Sequence, residues 1–533
     1  MTAPAHQTDT TFTEAEQPGR IRRWSIAVAD RIGRLTLPQL TAIIWISSIV
    51  MCLVLLGSTR DSIRGTMNIV ENWGAVERVA LWQDWLEPII PRFELPTGVI
   101  AWGFRAAMLA GFVAQVAAFV VVMRSDKPSL WKWMIGPIGA HIIQGILMIP
   151  SNSDVFFYEA VGHFAANGRN PYTSELMDWP DHPLIPFNFW IDIGTVYGPH
   201  WVNYNRIVMD IVGPDPIVAT LVQKALAGIF AFALGLFIYW FAKKLSGGNQ
   251  KLAVAAAVLV AWQPNMILES SGQVHNDPHT VLIATAGLAL VILGGLAGLR
   301  GGLILVAVSV MIKFITLPLF GVLGIIRIVE RKKPMGWVKR IFGNWLLDGI
   351  AIVAVVIGAF LPYWEGPETV HEMLAEPDRL YTHPVWRGIQ SLLGVLFPDS
   401  ISGGWTSISR PTLQVATIGL SIAVVAWMGY RLWKAPQVNS DPEEDPLTPD
   451  GLPWWTPTVL YGWLFIFLIL SFIPVNSHPW YWVWPIPAVA QVVAYELRHE
   501  RQWNVAKMPT WFWIYLWGNA LLTLAYHTRI ARY

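Results

Sequence analysis

The chain is built from a succession of apolar runs, and these constrain its fold more than any other feature. A helix rises about 1.5 Å per residue, so about 20 apolar residues cross a hydrocarbon core about 30 Å thick. Candidate runs lie at 39–57, 98–123, 132–150, 216–241, 252–270, 280–297, 302–313, 316–328, 343–363, 412–432, 456–474, 480–496 and 509–526. They predict an all-α, polytopic transmembrane protein with about 13 transmembrane helices and no soluble domain of useful size. The runs 302–313 and 316–328 are too short for two full crossings. They read as a hairpin of half-helices, tolerable only where protein buries it or where it lines a cavity.

Charge sharpens this reading. Only 14% of the 533 residues are charged, against about 25% in soluble domains, so most of the chain cannot face water. A net charge of +1 provides no field to draw nucleic acid, and no nucleic-acid partner is expected. The single cysteine, Cys52, excludes an intramolecular disulfide framework. There is no cysteine–histidine metal spacing and no Gly-Lys-Ser/Thr phosphate loop. No metal or other cofactor is therefore expected, and ATP-driven transport is disfavoured.

With the N-terminus inside, the predicted inner loops collect most of the Lys and Arg. Examples are Arg124, Lys127 and Lys132, then Lys243, Lys244 and Lys251, then Arg327, Arg331, Lys332 and Lys333. The exception is 58–97, with Arg60, Arg64, Arg78 and Arg92. This map gives a cytoplasmic tail at 1–38, with 1–19 expected to be disordered. A single transmembrane domain follows at 39–533, with outer loops at 58–97, 151–215 and 364–410. The segment 58–97, with Trp73, Trp82 and Trp85, reads as able to lie flat on the membrane. The inner loop 435–455, with Asp441, Glu443, Glu444 and Asp445, reads as a plain linker.

Four motifs carry candidate chemistry. The first is Asp154, directly after the run ending at Pro150. On a helix Asp154, Tyr158 and Gly162 share a face. Gly168-Arg169-Asn170-Pro171-Tyr172 and Tyr197-Gly198-Pro199-His200 follow in the same loop. A solvated surface aspartate is the plain reading. A carboxylate at the lipid boundary can also take the proton of a hydroxyl as its oxygen attacks an electrophilic carbon. The second is Gln273-Val274-His275-Asn276-Asp277-Pro278-His279, preceded by Trp262, Pro264 and Glu269. Asn276 or Asp277 with Pro278 reads as a helix cap, and Pro278 disfavours metal binding by His275 and His279. The third is Lys313, either a lysine reaching for the interface or a cation for a phosphate at the outer face. The fourth is His478-Pro479-Trp480-Tyr481-Trp482-Val483-Trp484, whose tryptophans read as an aromatic belt. Arg379, His383 and Arg387 in the neighbouring outer loop are either solvated or further phosphate contacts.

The ordered set resembles the GT-C superfamily of polytopic membrane glycosyltransferases. It is most similar to the actinobacterial branch that uses polyprenyl-phosphate sugars, including the α-mannosyltransferases of lipomannan assembly. The residues that carry the resemblance are Asp154, Tyr158 and Gly162; Gly168, Asn170, Pro171 and Tyr172; Tyr197, Gly198 and Pro199; Trp262, Pro264 and Glu269; His275, Asn276 and Asp277; Lys313, Leu317 and Pro318; and Pro479, Trp480 and Tyr481. One departure is Val274, where the family pattern has Gly directly before the histidine.

The resemblance implies an inverting transferase in the plasma membrane with an extracytoplasmic active site. A sugar, mannose as first guess, would pass from a polyprenyl-phosphate donor to a glycan or glycolipid acceptor. It implies Asp154 as catalytic base. Tyr158, Asn170, Tyr172, Tyr197, Glu269, His275, Asn276, Asp277, Lys313, Arg379 and His478 would bind substrate. The rival readings are a lipid-linked-sugar flippase or secondary transporter, and a membrane scaffold. A transporter should carry matching broken helices in two halves and acids near the midplane. Here Asp154 and Asp277 fall at boundaries.

Overall fold

The computed structural model describes residues 20–58, 74–332, 336–374, 405–435, 450–474, 478–500 and 507–529. The tail 1–19, Arg60, Arg64, Trp73, Lys333, Arg379, His383, Arg387 and the acidic linker residues Asp441, Glu443, Glu444 and Asp445 lie outside the described residues.

Among the described residues the chain is helical, with no β-strand. The helices are α1 (Arg20–Ile32), α2 (Leu37–Leu56), α3 (Ala75–Leu86), α4 (Thr97–Arg124), α5 (Leu130–Leu147), α6 (Asp154–Ala166), α7 (Pro199–Val212), α8 (Pro216–Leu245) and α9 (Gln250–Ala261). They continue with α10 (Pro264–Ile267), α11 (Asp277–Val310), α12 (Leu319–Gly324), α13 (Trp337–Phe360), α14 (Trp405–Lys434), α15 (Thr456–Phe472), α16 (Pro485–Glu496) and α17 (Thr510–Arg529). Among the described residues six helices are long and apolar enough to cross a membrane, or up to seven when the bent pair α9–α10 is taken as one span. The all-α polytopic fold stands, whereas the count of about 13 crossings is not confirmed.

The helix α11, which the count of six takes as one span, is not straight. Its 34 residues, if straight, would set the two ends about 50 Å apart at 1.5 Å per residue. Instead Ser309 Oγ donates to the Thr280 carbonyl at 2.9 Å, and Lys313 Nζ reaches Asp277 at 2.9 Å. The chain folds back at Gly295, whose φ of 57° lies in the region glycine tolerates. The two arms touch at Gly287 and Gly302, where a Cβ on either would sit 2.8 Å from the other's carbonyl oxygen. Residues 302–310 therefore pair with 277–294, and Leu319–Gly324 packs on the same helix. Beyond Lys313 the chain runs as a 3₁₀ turn at Phe314–Thr316, then α12, then a 3₁₀ stretch at Ile325–Lys332.

The packing axis is α9. Its residues from Leu252 to Ala261 are buried on every face, against α8, α16, α4 and α5. Ala and Val dominate this helix, and such small side chains let neighbouring backbones come close. In contrast α13 exposes Phe342, Leu346, Ile350, Val353 and Ile357, an apolar outer surface suited to lipid.

Two joints hold the site end of the bundle. Pro137 inside α5 has no N–H to give to the Trp133 carbonyl, and the Trp262 indole donates to that oxygen instead, at 2.7 Å. Trp262 stands at the 55° bend between α9 and α10. The second joint is α3. Its Trp82 is fully buried, with its indole N–H on the Ile146 carbonyl at 3.2 Å and Lys224 Nζ 4.3 Å from the ring. This part of the segment 58–97 is thus docked into the bundle through Trp82. The belt reading of the late tryptophans fails, since Trp482 and Trp484 are fully buried.

Candidate active site

Four separate segments converge at one end of the bundle. The first is the turn before α6. Asn152 Oδ1 accepts the Asp154 N–H at 3.1 Å, which starts the helix with Asp154 in its first turn. Gln273 Oε1 accepts the Ser151 N–H at 2.7 Å, and Arg78 donates to the carbonyls of Phe187 at 2.8 Å and Ser151 at 3.3 Å. The second segment follows α10, where a π-turn at Leu268–Gly272 presents Glu269. After it Val274 adopts φ 63°. That conformation is costly for a β-branched residue and is the one glycine adopts freely.

His275 sits at the centre. Its Nδ1 lies 2.8 Å from Glu269 Oε2, and its Nε2 lies 3.0 Å from the Asn152 amide nitrogen and 3.6 Å from Asp154 Oδ2. The His275 side chain is 1% exposed, while that of Asp154 is 15% exposed, so the carboxylate is the part of this pair that water or a ligand reaches. Burial by itself disfavours an imidazolium, but the hydrogen bonds and charges of Asp154 and Glu269 outweigh it and raise the pKa of His275 to about 9. Burial also opposes ionisation of Asp154. The hydrogen bond and charge of His275, with the charges of His478 and Lys313, outweigh it and hold this carboxyl below its ordinary value.

The third segment is the fold-back of α11. Lys313 Nζ meets Asp277 Oδ1 at 2.9 Å and lies 4.6 Å from the Tyr481 ring, and the Trp484 indole donates to the same Oδ1 at 2.6 Å. Gly198 carries the Tyr-Gly-Pro turn onto this strand of chain. Its N–H goes to the Ile312 carbonyl at 3.1 Å, and the His200 N–H goes to the Met311 carbonyl at 2.9 Å. The fourth segment is the late aromatic run, where the Trp480 ring stacks on both His275 and His478.

The other expected residues divide. The Tyr158 hydroxyl lies 3.5 Å from Asp154 Oδ2 and 3.1 Å from the Tyr197 hydroxyl, so both tyrosines border the cluster. Asn276 is fully buried beside it, with both amide atoms unpartnered, as is Asp277 Oδ2. Asn170 and Tyr172 stand apart as fasteners. Asn170 donates to the Tyr363 carbonyl at 2.8 Å and accepts the Tyr172 N–H at 3.1 Å, and the Tyr172 hydroxyl donates to the Tyr197 carbonyl at 2.9 Å. Gly162 serves packing, since a Cβ there would lie 2.6 Å from the Asn205 carbonyl. Among the described residues no group of three or more His, Cys, Asp and Glu side chains is arranged to hold a metal ion. Sequence reasoning missed Asn152, Gln273 and Arg78. Gln273 opens a quoted motif and Asn152 lies two residues before Asp154, whereas Arg78 stood out only as one of the basic residues of 58–97.

The cluster joins three acids, Asp154, Glu269 and Asp277, to two cations, His275 and Lys313. It presents one carboxylate at its mouth as a proton acceptor.

Residues 73–329 match the family model described as alpha-(1->6)-mannopyranosyltransferase, N-terminal domain. Over 380 residues the chain is 22% identical to alpha-(1->6)-mannopyranosyltransferase A of Mycobacterium tuberculosis, covering 69% of this chain and 66% of that protein. The chain thus spans just under two thirds of that relative's length. No solved structure matches it. The resemblance drawn from the ordered motifs therefore holds as a similarity: residues 73 to 329, a stretch containing Asp154, Glu269, His275, Asp277 and Lys313, are similar to the N-terminal domain of the alpha-(1->6)-mannopyranosyltransferases.

Proposed function

We propose that this protein is a glycosyltransferase that moves a sugar from a polyprenyl-phosphate donor to a hydroxyl of a glycan or glycolipid, on the extracytoplasmic face and with inversion. Mannose is the first candidate, following the names of the matching family and relative. The observation that carries the reading is the placement of a partly exposed Asp154 carboxylate 3.6 Å from a buried His275 imidazole, at the mouth of the cluster.

In this reaction the acceptor hydroxyl lies against Asp154. As the acceptor oxygen forms its bond to the anomeric carbon, the bond from that carbon to the phosphate oxygen breaks. The electron pair leaves with polyprenyl phosphate, and the hydroxyl proton passes to Asp154. A base of low pKa suffices when proton transfer accompanies attack. Lys313 has three N–H donors, one of which meets Asp277, so it retains donors for an oxyanion. The side assignment draws support from the basic residues. Arg124, Lys243 and Lys244 lie at the ends of α4 and α8 remote from the cluster.

The test is transfer of radiolabelled mannose from polyprenyl phosphate by the purified full-length chain and by Asp154→Asn. The expected result is transfer by the first and none by the second, with equal membrane insertion. Undiminished transfer by Asp154→Asn removes the residue from the mechanism.

A further inference from the structure

The catalytic reading leaves the Trp480 indole without a task. The His275 ring stacks on it with centroids 3.9 Å apart and planes 18° apart, and the His478 ring stacks on it at 4.2 Å and 5°. Two rings that close to one indole cannot share a face without overlapping, so Trp480 is sandwiched between them. The contact with His275 spans 205 positions of sequence, and only the convergence of the late aromatic run on the turn after α10 creates it. On the other side His275 is delivered by Val274, whose left-handed backbone stores strain that surrounding structure must hold. Glu269 and Asp154 contact the imidazole through its two nitrogens and so fix its edge. Nothing in that pair fixes the tilt of the ring about the line joining them. Trp480 does, by covering a face.

We propose that Trp480 is the positioning residue of His275, holding the imidazole flat so that it faces Asp154 and Glu269 at once and keeps Asp154 a free proton acceptor. The proposal rests on the reading of Asp154 as base. A cation on an indole face is stabilised by the ring quadrupole, most strongly where water is excluded. Trp480 therefore favours the charged form of His275 as well as its orientation. His478 on the opposite face completes the clamp and places a second titratable ring near Asp154. Asp154, Glu269, Lys313 and His478 are the charged or titratable groups that face this stack.

The experiment compares Trp480→Phe and Trp480→Leu in the purified full-length protein. His275 is titrated by NMR of labelled histidine, and its resonance is assigned with His275→Gln. Leucine keeps the site apolar and removes the π face, whereas phenylalanine keeps a π face. Trp480→Leu should lower the His275 pKa by about one unit, the size expected for a desolvated cation–π contact. Trp480→Phe should lower it by less. Transfer should show the same order, with kcat falling more than KM rises and the alkaline limb of the pH profile moving down further in the leucine variant than in the phenylalanine variant. An unmoved or raised His275 pKa in a folded Trp480→Leu protein overturns the proposal. So does equal loss in both variants, which would mark plain packing. The titration does not depend on transfer. A wild-type chain that transfers no sugar but shows the Trp480 effect refutes the enzymatic reading alone.

Discussion

Two ionic clusters sit toward opposite ends of the same helix bundle, and they are built differently. The remote one joins Arg300, Arg327, Glu330 and Asp348. Arg327 grips Asp348 with two nitrogens at 2.8 and 3.1 Å and Glu330 with a third at 2.6 Å. Arg300 adds a bond to Asp348 at 3.0 Å, and Asn344 donates to the second Glu330 oxygen at 2.8 Å. Two cations face two acids, and each of the four carboxylate oxygens has a donor. The cluster at Asp154 is left incomplete. Three acids face two cations, Asp277 Oδ2 and both Asn276 amide atoms lack partners, and the nearest donors to Asp154 Oδ2 stand at 3.5 and 3.6 Å. Buried polar groups are normally satisfied, and the exceptions ask for an explanation. A closed network holds helices together, whereas an open one is ready to bind.

The largest effect that would test this contrast is loss of the base. Asp154→Asn should cut transfer by about 10²–10⁴-fold while the melting temperature stays within a degree or two, measured by transfer assay and by thermal unfolding in detergent. Should it unfold the protein instead, the open cluster is structural after all. At the remote end Arg327→Met should do the reverse. It leaves two buried carboxylates short of donors, at a cost of about 3–5 kcal/mol, and should lower the melting temperature while the folded fraction keeps its turnover.

A smaller effect comes from pH. The raised pKa of His275 means that its contribution to stability is full below its ordinary value of 6.5 and is lost as pH rises through about 9. The depressed pKa of Asp154 contributes stability above its ordinary value of 3.8 and loses it as pH falls further. Stability from this cluster should therefore peak between those two values, and transfer should decline on approach to pH 9. A pH–stability curve of His275→Gln that still shows the alkaline loss would assign it elsewhere. The smallest effect concerns Val274. Both Val274→Ala and Val274→Gly lose a buried side chain, but only glycine relieves the positive φ. The glycine variant should melt at or above the alanine variant, the reverse of the usual order.

The sequence carried the fold class because membrane crossing needs long apolar runs, and those are local. It also carried most of the cluster, since Asp154, Glu269, His275, Asp277 and Lys313 all stood in recognisable motifs. Helix facing was not legible. A helix apolar on all sides, such as α9, gives no periodic sign of which neighbours it meets. Long-range fasteners were hidden for the same reason. Arg78 on Ser151, Asn170 on Tyr363 and Trp484 on Asp277 each join residues more than 70 positions apart. Asn170 was read as a ligand for substrate because its motif is shared, while its two amide ends are occupied within the protein. The late tryptophans were read as a belt because composition alone cannot separate a ring at the lipid surface from one in the core.

The indole that answers the missing amide of Pro137 has a consequence for motion. A bend in a membrane helix is commonly where a protein gives way. Here the bend at Trp262 is bolted to α5, the helix whose far end leads into the Asp154 turn. Glu269 and His275 hang from one side of that bolt and Asp154 from the other. A displacement of either helix must carry the other with it, so the acid and its histidine keep their spacing.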